Sequence, residues 1–247
     1  MQGANPYGEI DYEINRQDYL YNFWQVPREA ALQLGRTDSD GLERNLQIGG
    51  VLLTSFLLDQ AVRDYVQNNI YQGNNMITEF IYNLGSSDKA WKIFAAGGGL
   101  AFLSGNRYHQ DSLLLAMQSL LVGQTLTEAS KLVVGRDRPR DSPDNPFSRE
   151  GGASFFSGHA SGVWSVLTVV GSRYPDLRQA AYGLATLTAA FRIYEDAHWL
   201  SDVVVGSLVG YGIGRLTLKL NTSAEQKLTF NPFISDKEAG IRFGMEF

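Results

Sequence analysis

The sequence predicts an all-α fold, a helical bundle of about six main helices, and three observations carry it. Apolar residues recur at helical spacing, as in Leu46, Val51, Leu53, Phe56, Leu57 and Val62 between Leu42 and Val66. Five further segments, near 87–105, 110–134, 158–173, 176–194 and 199–219, read the same way, and a bundle is the simplest packing for that many helices. The composition of 247 residues, 44% hydrophobic and 19% charged with 26 Gly, 7 Pro and no Cys, excludes a disordered chain, a collagen-like chain and a disulfide scaffold.

Residues 1–40 are polar and rich in aromatics and read as an N-terminal arm wrapping the bundle. A short helix is expected there from Pro27 to Leu34, since proline suits a first helical position and Gly35 a stop. Residues 41–220 form the expected bundle, in which Pro139 would end the helix carrying Lys131. Residues 221–247 form an extension of another kind. Lys227–Phe233 and Ile241–Phe247 are short, aromatic and β-branched, and flank the polar turn Ser235-Asp236-Lys237-Glu238, the pattern of a β-hairpin. No internal repeat or low-complexity stretch interrupts the chain.

With 21 Lys and Arg against 26 Asp and Glu, the net charge is −5, so nucleic-acid binding through bulk positive charge is not expected and any anion site must be local. The absence of cysteine removes thiolate nucleophiles and thiolate metal ligands. The uncharged apolar runs, Asn45–Leu58, Ile93–Asn106, Ser112–Thr127, Gln179–Phe191 and Val203–Gly214, reach at most 16 residues. That is short of the roughly 18 that suggest a spanning helix. With a mean hydropathy of −0.18, a soluble or peripherally membrane-associated protein is expected. The N-terminus lacks the basic-then-apolar layout of a signal peptide, and Met1-Gln2-Gly3-Ala4 reads equally as an added start on a processed chain, which leaves export open.

Three clusters carry chemistry. Ser157-Gly158-His159 opens a helical run, where a hydroxyl, free backbone N–H groups and the helix dipole converge on one point. Taken alone, this is also how a helix is capped. His198 lies six residues after Arg192 and four before Asp202, a spacing that sets the carboxylate beside the imidazole if a helix starts there, fixing its tautomer and leaving the other nitrogen as nucleophile or base. An exposed histidine with a dipole-favoured acid reads the same way. Lys131, Arg136, Arg138 and Arg140 crowd four cations into ten residues. Lys131 and Arg138, two helical turns apart, suit one dianion as point charge and fork, although a solvated helix end would look alike.

In order, Lys131 with Arg138-Pro139, then Ser157-Gly158-His159, then Arg192, His198 and Asp202 resemble the three-part signature of the type 2 phosphatidic acid phosphatase and vanadium haloperoxidase superfamily. The match covers Lys131–Asp202 directly and, by helix count, about Leu42–Leu220. The resemblance implies an all-helical phosphatase with Lys131, Arg138, Arg192, Ser157 and the Gly158 N–H around phosphate. It makes His198 the nucleophile, Asp202 its orienting carboxylate and His159 the general acid. It also implies no metal and no cofactor, with vanadate as an inhibitor. The substrate would be a phosphomonoester or a diphosphate, lipid and isoprenoid phosphates included, met in a periplasmic or other extracytoplasmic setting. Family members include six-helix integral membrane enzymes, so membrane insertion stands as the alternative to a soluble or peripheral protein.

Phe156 and Phe191 depart from the family pattern, standing where Pro and Ser are usual. The first puts loop rigidity in question, the second one hydrogen bond to phosphate. Arg136 and Arg140 fall outside the matched positions, so exchanging either for Lys is expected to cost little. His109, Glu195 and Asp196 read most simply as loop residues in solvent, and Trp199 as packing at a helix start. Two rival functions remain: a vanadium-dependent haloperoxidase, against which the short chain argues, and an anion or phospholipid head-group binding bundle without catalysis, for which two histidines would be superfluous.

Overall fold

The computed structural model describes residues 14, 19–73, 76, 78–79 and 87–222, together with the backbone of 227–234 and 239–246. Seven α-helices run through these residues: α1 (Tyr19–Leu34), α2 (Ser39–Asn69), α3 (Ser87–Leu103), α4 (Arg107–Val134), α5 (Gly158–Arg173), α6 (Arg178–Tyr194) and α7 (Leu200–Thr222). The all-α class is as expected. Two antiparallel strands, β1 (Lys227–Ile234) and β2 (Ala239–Glu246), form the hairpin, with Lys227 opposite Glu246 and Ile234 opposite Ala239. Its turn, and residues 1–13 and 15–18 of the N-terminal arm, lie outside the described residues.

The centre of the bundle is the parallel pair α5 and α7. A Cβ on Gly206 would come 2.6 Å from the Ser157 carbonyl oxygen, and one on Gly210 would meet the backbone of Ser161. Glycine one turn apart therefore lets the two backbones touch, and brings the N-terminal ends of both helices to one end of the molecule. The C-terminal ends of α4 and α6 arrive at the same end. Gln124 of α4 donates to the Gly158 carbonyl at 3.0 Å, and Ala189 of α6 packs with Ala160 and Val203.

The short arm helix is corrected. α1 begins at Tyr19 and carries Pro27 inside it, because tertiary contacts outweigh a local cost of about 3 kcal/mol. Val26 is fully buried against Val122, Ile213 and Leu216, and Asn22 donates to the Leu220 carbonyl and the Asn221 side chain. Ile14 is also in the core, beside Leu115, Val169 and Leu218. Pro139 does not end α4 either, because Gly135 does so with φ 59°. Glycine adopts that conformation without the steric cost of a Cβ.

The sharpest departure concerns which face of α2 is inside. Leu42, Leu46, Leu53 and Leu57, which share one face, are all more than half exposed, whereas Ser55 and Asp59 are buried. Leu100, Phe102 and Leu103 of α3 and Leu132 and Val133 of α4 also face outward, the last two at 88% and 85% exposure. The expected shortage of spanning segments is likewise corrected for α7. Residues 200–221 are long and apolar enough to cross a membrane, by length and composition, because Arg215 and Lys219 interrupt the uncharged run without making the helix polar.

Candidate active site

Four helix ends build the site. Ser157 caps α5, its hydroxyl accepting from the Ala160 N–H at 3.4 Å, and its own N–H donates to the Asp202 carbonyl at 3.1 Å. That bond joins the start of α5 to the first turn of α7. At the end of α6, the N–H groups of Ala197 and His198 both donate to the Arg192 carbonyl, at 3.1 and 3.2 Å. Arg192 and His198 are thereby held across one tight turn. Lys131 comes from the last turn of α4 and stands near Gly158, where a Cβ would lie 3.9 Å from Nζ. Because α4 ends at Val134, Arg138 lies in the following loop, not two turns along one helix as expected. Its charge nevertheless reaches both histidines. Lys131, Arg138 and Arg192 all lie within electrostatic range of His159, as does His198. The eight motif residues therefore gather at one end of the bundle.

His198 is 3% exposed and Asp202 fully buried. Nδ1 of His198 is 3.7 Å from Asp202 Oδ2, ion-pair range, and the Ser154 hydroxyl lies between, donating to Oδ2 at 2.5 Å and 3.5 Å from Nδ1. The Trp199 N–H donates to the same carboxylate oxygen at 3.0 Å. Burial holds the imidazole below its ordinary pKa against the pull of Asp202, and Arg192 and Arg138 add to the lowering. Burial thus favours the neutral ring, the state a nucleophile needs.

Two of the cations carry protein carboxylates: Lys131 pairs with Glu128 at 2.7 Å, and Arg192 with Glu195. Glu195 is therefore no solvated loop residue, and burial pushes its carboxyl up. Asp196, with φ 53°, is clamped by the Arg63 fork at 2.8 and 2.9 Å and is not in solvent either. His109 sits in the first turn of α4, with Nδ1 2.7 Å from the Tyr174 hydroxyl. Trp199 packs as expected, its indole N–H on the Asp137 carbonyl at 3.0 Å.

At Phe156 the departure from proline has a use, because its N–H donates to the Ser130 hydroxyl at 3.2 Å while that hydroxyl donates to the Phe155 carbonyl at 3.1 Å. Proline has no such donor. Phe191 stacks on Tyr194 at 5.0 Å between centroids.

The low cost expected for Arg136 is overturned. Its guanidinium, 3% exposed, donates to Asp202 Oδ1 at 2.6 Å, Asp59 Oδ2 at 2.6 Å, the Ser201 hydroxyl at 2.7 Å and the Pro146 carbonyl at 2.8 Å. Lysine cannot reproduce that fork. Asp59 and Ser154 were missed altogether. The one signal for Asp59 was a lone carboxylate in the apolar run Phe56-Leu57-Leu58-Asp59. Among the described residues no group of three or more His, Asp or Glu side chains is placed to hold a metal ion.

Comparison with known proteins bears on the family and the fold. Residues 112–225 match the model of the PAP2 superfamily. That segment belongs to the PAP2 superfamily. A curated relative, lipid A 1-phosphatase of Porphyromonas gingivalis, is 33% identical over 110 residues, which is 43% of this chain and 22% of the relative, so the chain spans about a fifth of that protein. Two solved structures are similar in fold, each with a TM-score of 0.53. Aquifex aeolicus LpxE is 20% identical, over 66% of this chain and 95% of its own. A transmembrane PAP2 type phosphatidylglycerolphosphate phosphatase from Bacillus subtilis is 19% identical, over 81% and 96%. α2 and α3 lie outside the PAP2 segment.

Proposed function

We propose that this chain is a metal-independent phosphatase that hydrolyses the phosphate ester of a lipid through a phosphohistidine on His198. The observation that carries the reading is the buried His198 with Asp202 behind it, set among Lys131, Arg138 and Arg192 at two helix N-termini. Phosphoryl transfer asks for an in-line nucleophile and fixed positive charge around the equatorial oxygens. In this reading Lys131, Arg138, Arg192, Ser157 and the Gly158 N–H hold phosphate, and the imidazole of His198 attacks phosphorus. Burial and the nearby Arg192, Lys131 and Arg138 favour the neutral form of His159, so in this reading it gains the proton that it gives to the departing oxygen only with the dianionic phosphate offsetting those cations, and then takes one from the water that cleaves the P–N bond. Asp202 steadies the imidazolium.

The lipid part rests on the surface. Leu132 and Val133, in the same last turn of α4 as Lys131 but on other faces of it, stand almost fully exposed, so the end of the bundle that carries the phosphate cradle also presents apolar surface to acyl chains. The outward leucines of α2 and the outward residues of α3 add further exposed apolar side chains. The same features support a bundle embedded in the bilayer, in place of the soluble or peripheral protein expected from hydropathy. The phosphatase names of the relatives support the reaction class. A hydrolysis screen in chelator with phosphatidic acid, phosphatidylglycerol phosphate, undecaprenyl diphosphate and an aryl phosphate tests the proposal. Release of phosphate from none of them would refute it.

A further inference from the structure

Resting on that reading, a second ring of charge bears on how the nucleophile is held. Asp59 comes from the middle of α2, outside the PAP2 segment, and is fully buried. Its Oδ1 accepts the Ser201 N–H at 2.7 Å, and its Oδ2 accepts the Ser201 hydroxyl at 2.7 Å and Arg136 at 2.6 Å. Arg136 in turn reaches Asp202 Oδ1 at 2.6 Å. The rings of Phe56 and Trp199 lie 5.2 and 5.4 Å from the guanidinium and screen it from water. The oxygens of Asp202 are therefore divided: Oδ1 meets Arg136, while Oδ2 meets Ser154, the Trp199 N–H and His198.

One buried guanidinium thus serves two buried carboxylates. Were Asp202 its only counter-ion, the pair would neutralise each other and little negative charge would face the imidazole. With Asp59 taking part of the guanidinium charge, Asp202 retains charge toward His198. We propose that Asp59 and Arg136 are positioning residues, by which α2 fixes the rotamer of Asp202 and sets how much of its charge reaches His198. Neither belongs to the phosphate cradle, so they act on the nucleophile and not on substrate binding. The charged or titratable groups that act on the His198 ring are Asp202 from α7, Arg192 from the end of α6, Arg138 from the loop after α4 and His159 from α5.

The test is steady-state kinetics across pH on the full chain in detergent micelles, with Asp59→Asn and Arg136→Gln compared with wild type. Asp59→Asn leaves the Arg136 charge on Asp202, so kcat falls about 10- to 100-fold, the range for groups that orient a reacting imidazole at second hand. KM and inhibition by inorganic phosphate stay within about twofold, and the acid limb of the pH profile moves down. Arg136→Gln moves that limb up, because Asp202 then serves His198 alone. Opposite displacements at constant KM are not produced by loosened packing. If both limbs stay put, if KM rises as much as kcat falls, or if neither variant folds, the pair is structural and the inference is wrong. A wild-type protein that releases no phosphate would instead remove the phosphatase reading itself.

Discussion

At the scale of single residues, the division of labour among the cations and histidines is open to direct measurement. Arg138→Lys keeps charge but loses the two-pronged donor, so kcat/KM is expected to fall by a factor on the order of 10². Arg140, exposed and only loosely paired with Asp141 at 3.9 Å, is expected to tolerate the same change, and equal losses at both would reduce the cluster to a diffuse patch. Burial keeps His198 below its ordinary pKa, so the acid limb of kcat/KM should lie below the ordinary histidine range. The sign for stability follows: the unfolded chain takes up a proton near the ordinary value while the folded chain does not. Folding is therefore favoured above that value and weakens as pH drops through it, which melting curves from pH 8 to 5 can check. The motif residues were legible in the sequence because their chemical types recur in a fixed order. Asp59 was not, since it meets Arg136 across 77 residues of chain. Nor was Arg136 distinguishable from Arg138 and Arg140 by composition alone.

At the scale of helices, the close approach of α5 and α7 is what holds Ser157 against Asp202. Gly206→Ala would put a methyl 2.6 Å from the Ser157 carbonyl, and the helices must part. The expected cost is about 1–3 kcal/mol of stability, with kcat falling further than stability alone explains; Gly212→Ala, which meets nothing within 4 Å, is the control. An unaltered kcat in Gly206→Ala would show that the helix contact does not set the site. Helix existence was readable from periodicity, and the bounds of α5 matched the expected 158–173. Orientation was not readable, because period locates an apolar stripe without saying whether core or lipid covers it. α2 is the case in point: Leu46, Val51, Leu53 and Leu57 of the stripe that suggested a core point out, Phe56 and Val62 are half-buried, and Ser55 and Asp59 point in. Leu132 and Val133 give that surface a kinetic handle. Changing both to Ser is expected to raise KM for a phospholipid about tenfold, at roughly 1–2 kcal/mol of lost apolar contact, and to leave KM for p-nitrophenyl phosphate unchanged.

For the molecule as a whole, many large apolar side chains stand exposed, which is the basis of the proposed bilayer setting, and the buried Asp59, Arg136 and Asp202 are tolerable because they satisfy one another. Recovery of active protein is expected to require detergent. Quantitative extraction in salt or carbonate would restore the soluble reading without touching the catalytic one. Low overall hydropathy gave no sign of these exposed apolar side chains, since the polar arm, loops and tail dilute them in the average.

The central claim is that His198 takes the phosphoryl group and His159 does not. Rapid-quench measurement with p-nitrophenyl phosphate tests it most directly, since nitrophenolate hardly needs a proton to leave. His159→Ala should release about one nitrophenolate per site in a burst, followed by slow turnover, with acid-labile phosphate on the protein that mass spectrometry maps to His198. His198→Ala should give no burst. A burst from His198→Ala, or phosphate mapped to any other residue, would contradict the account.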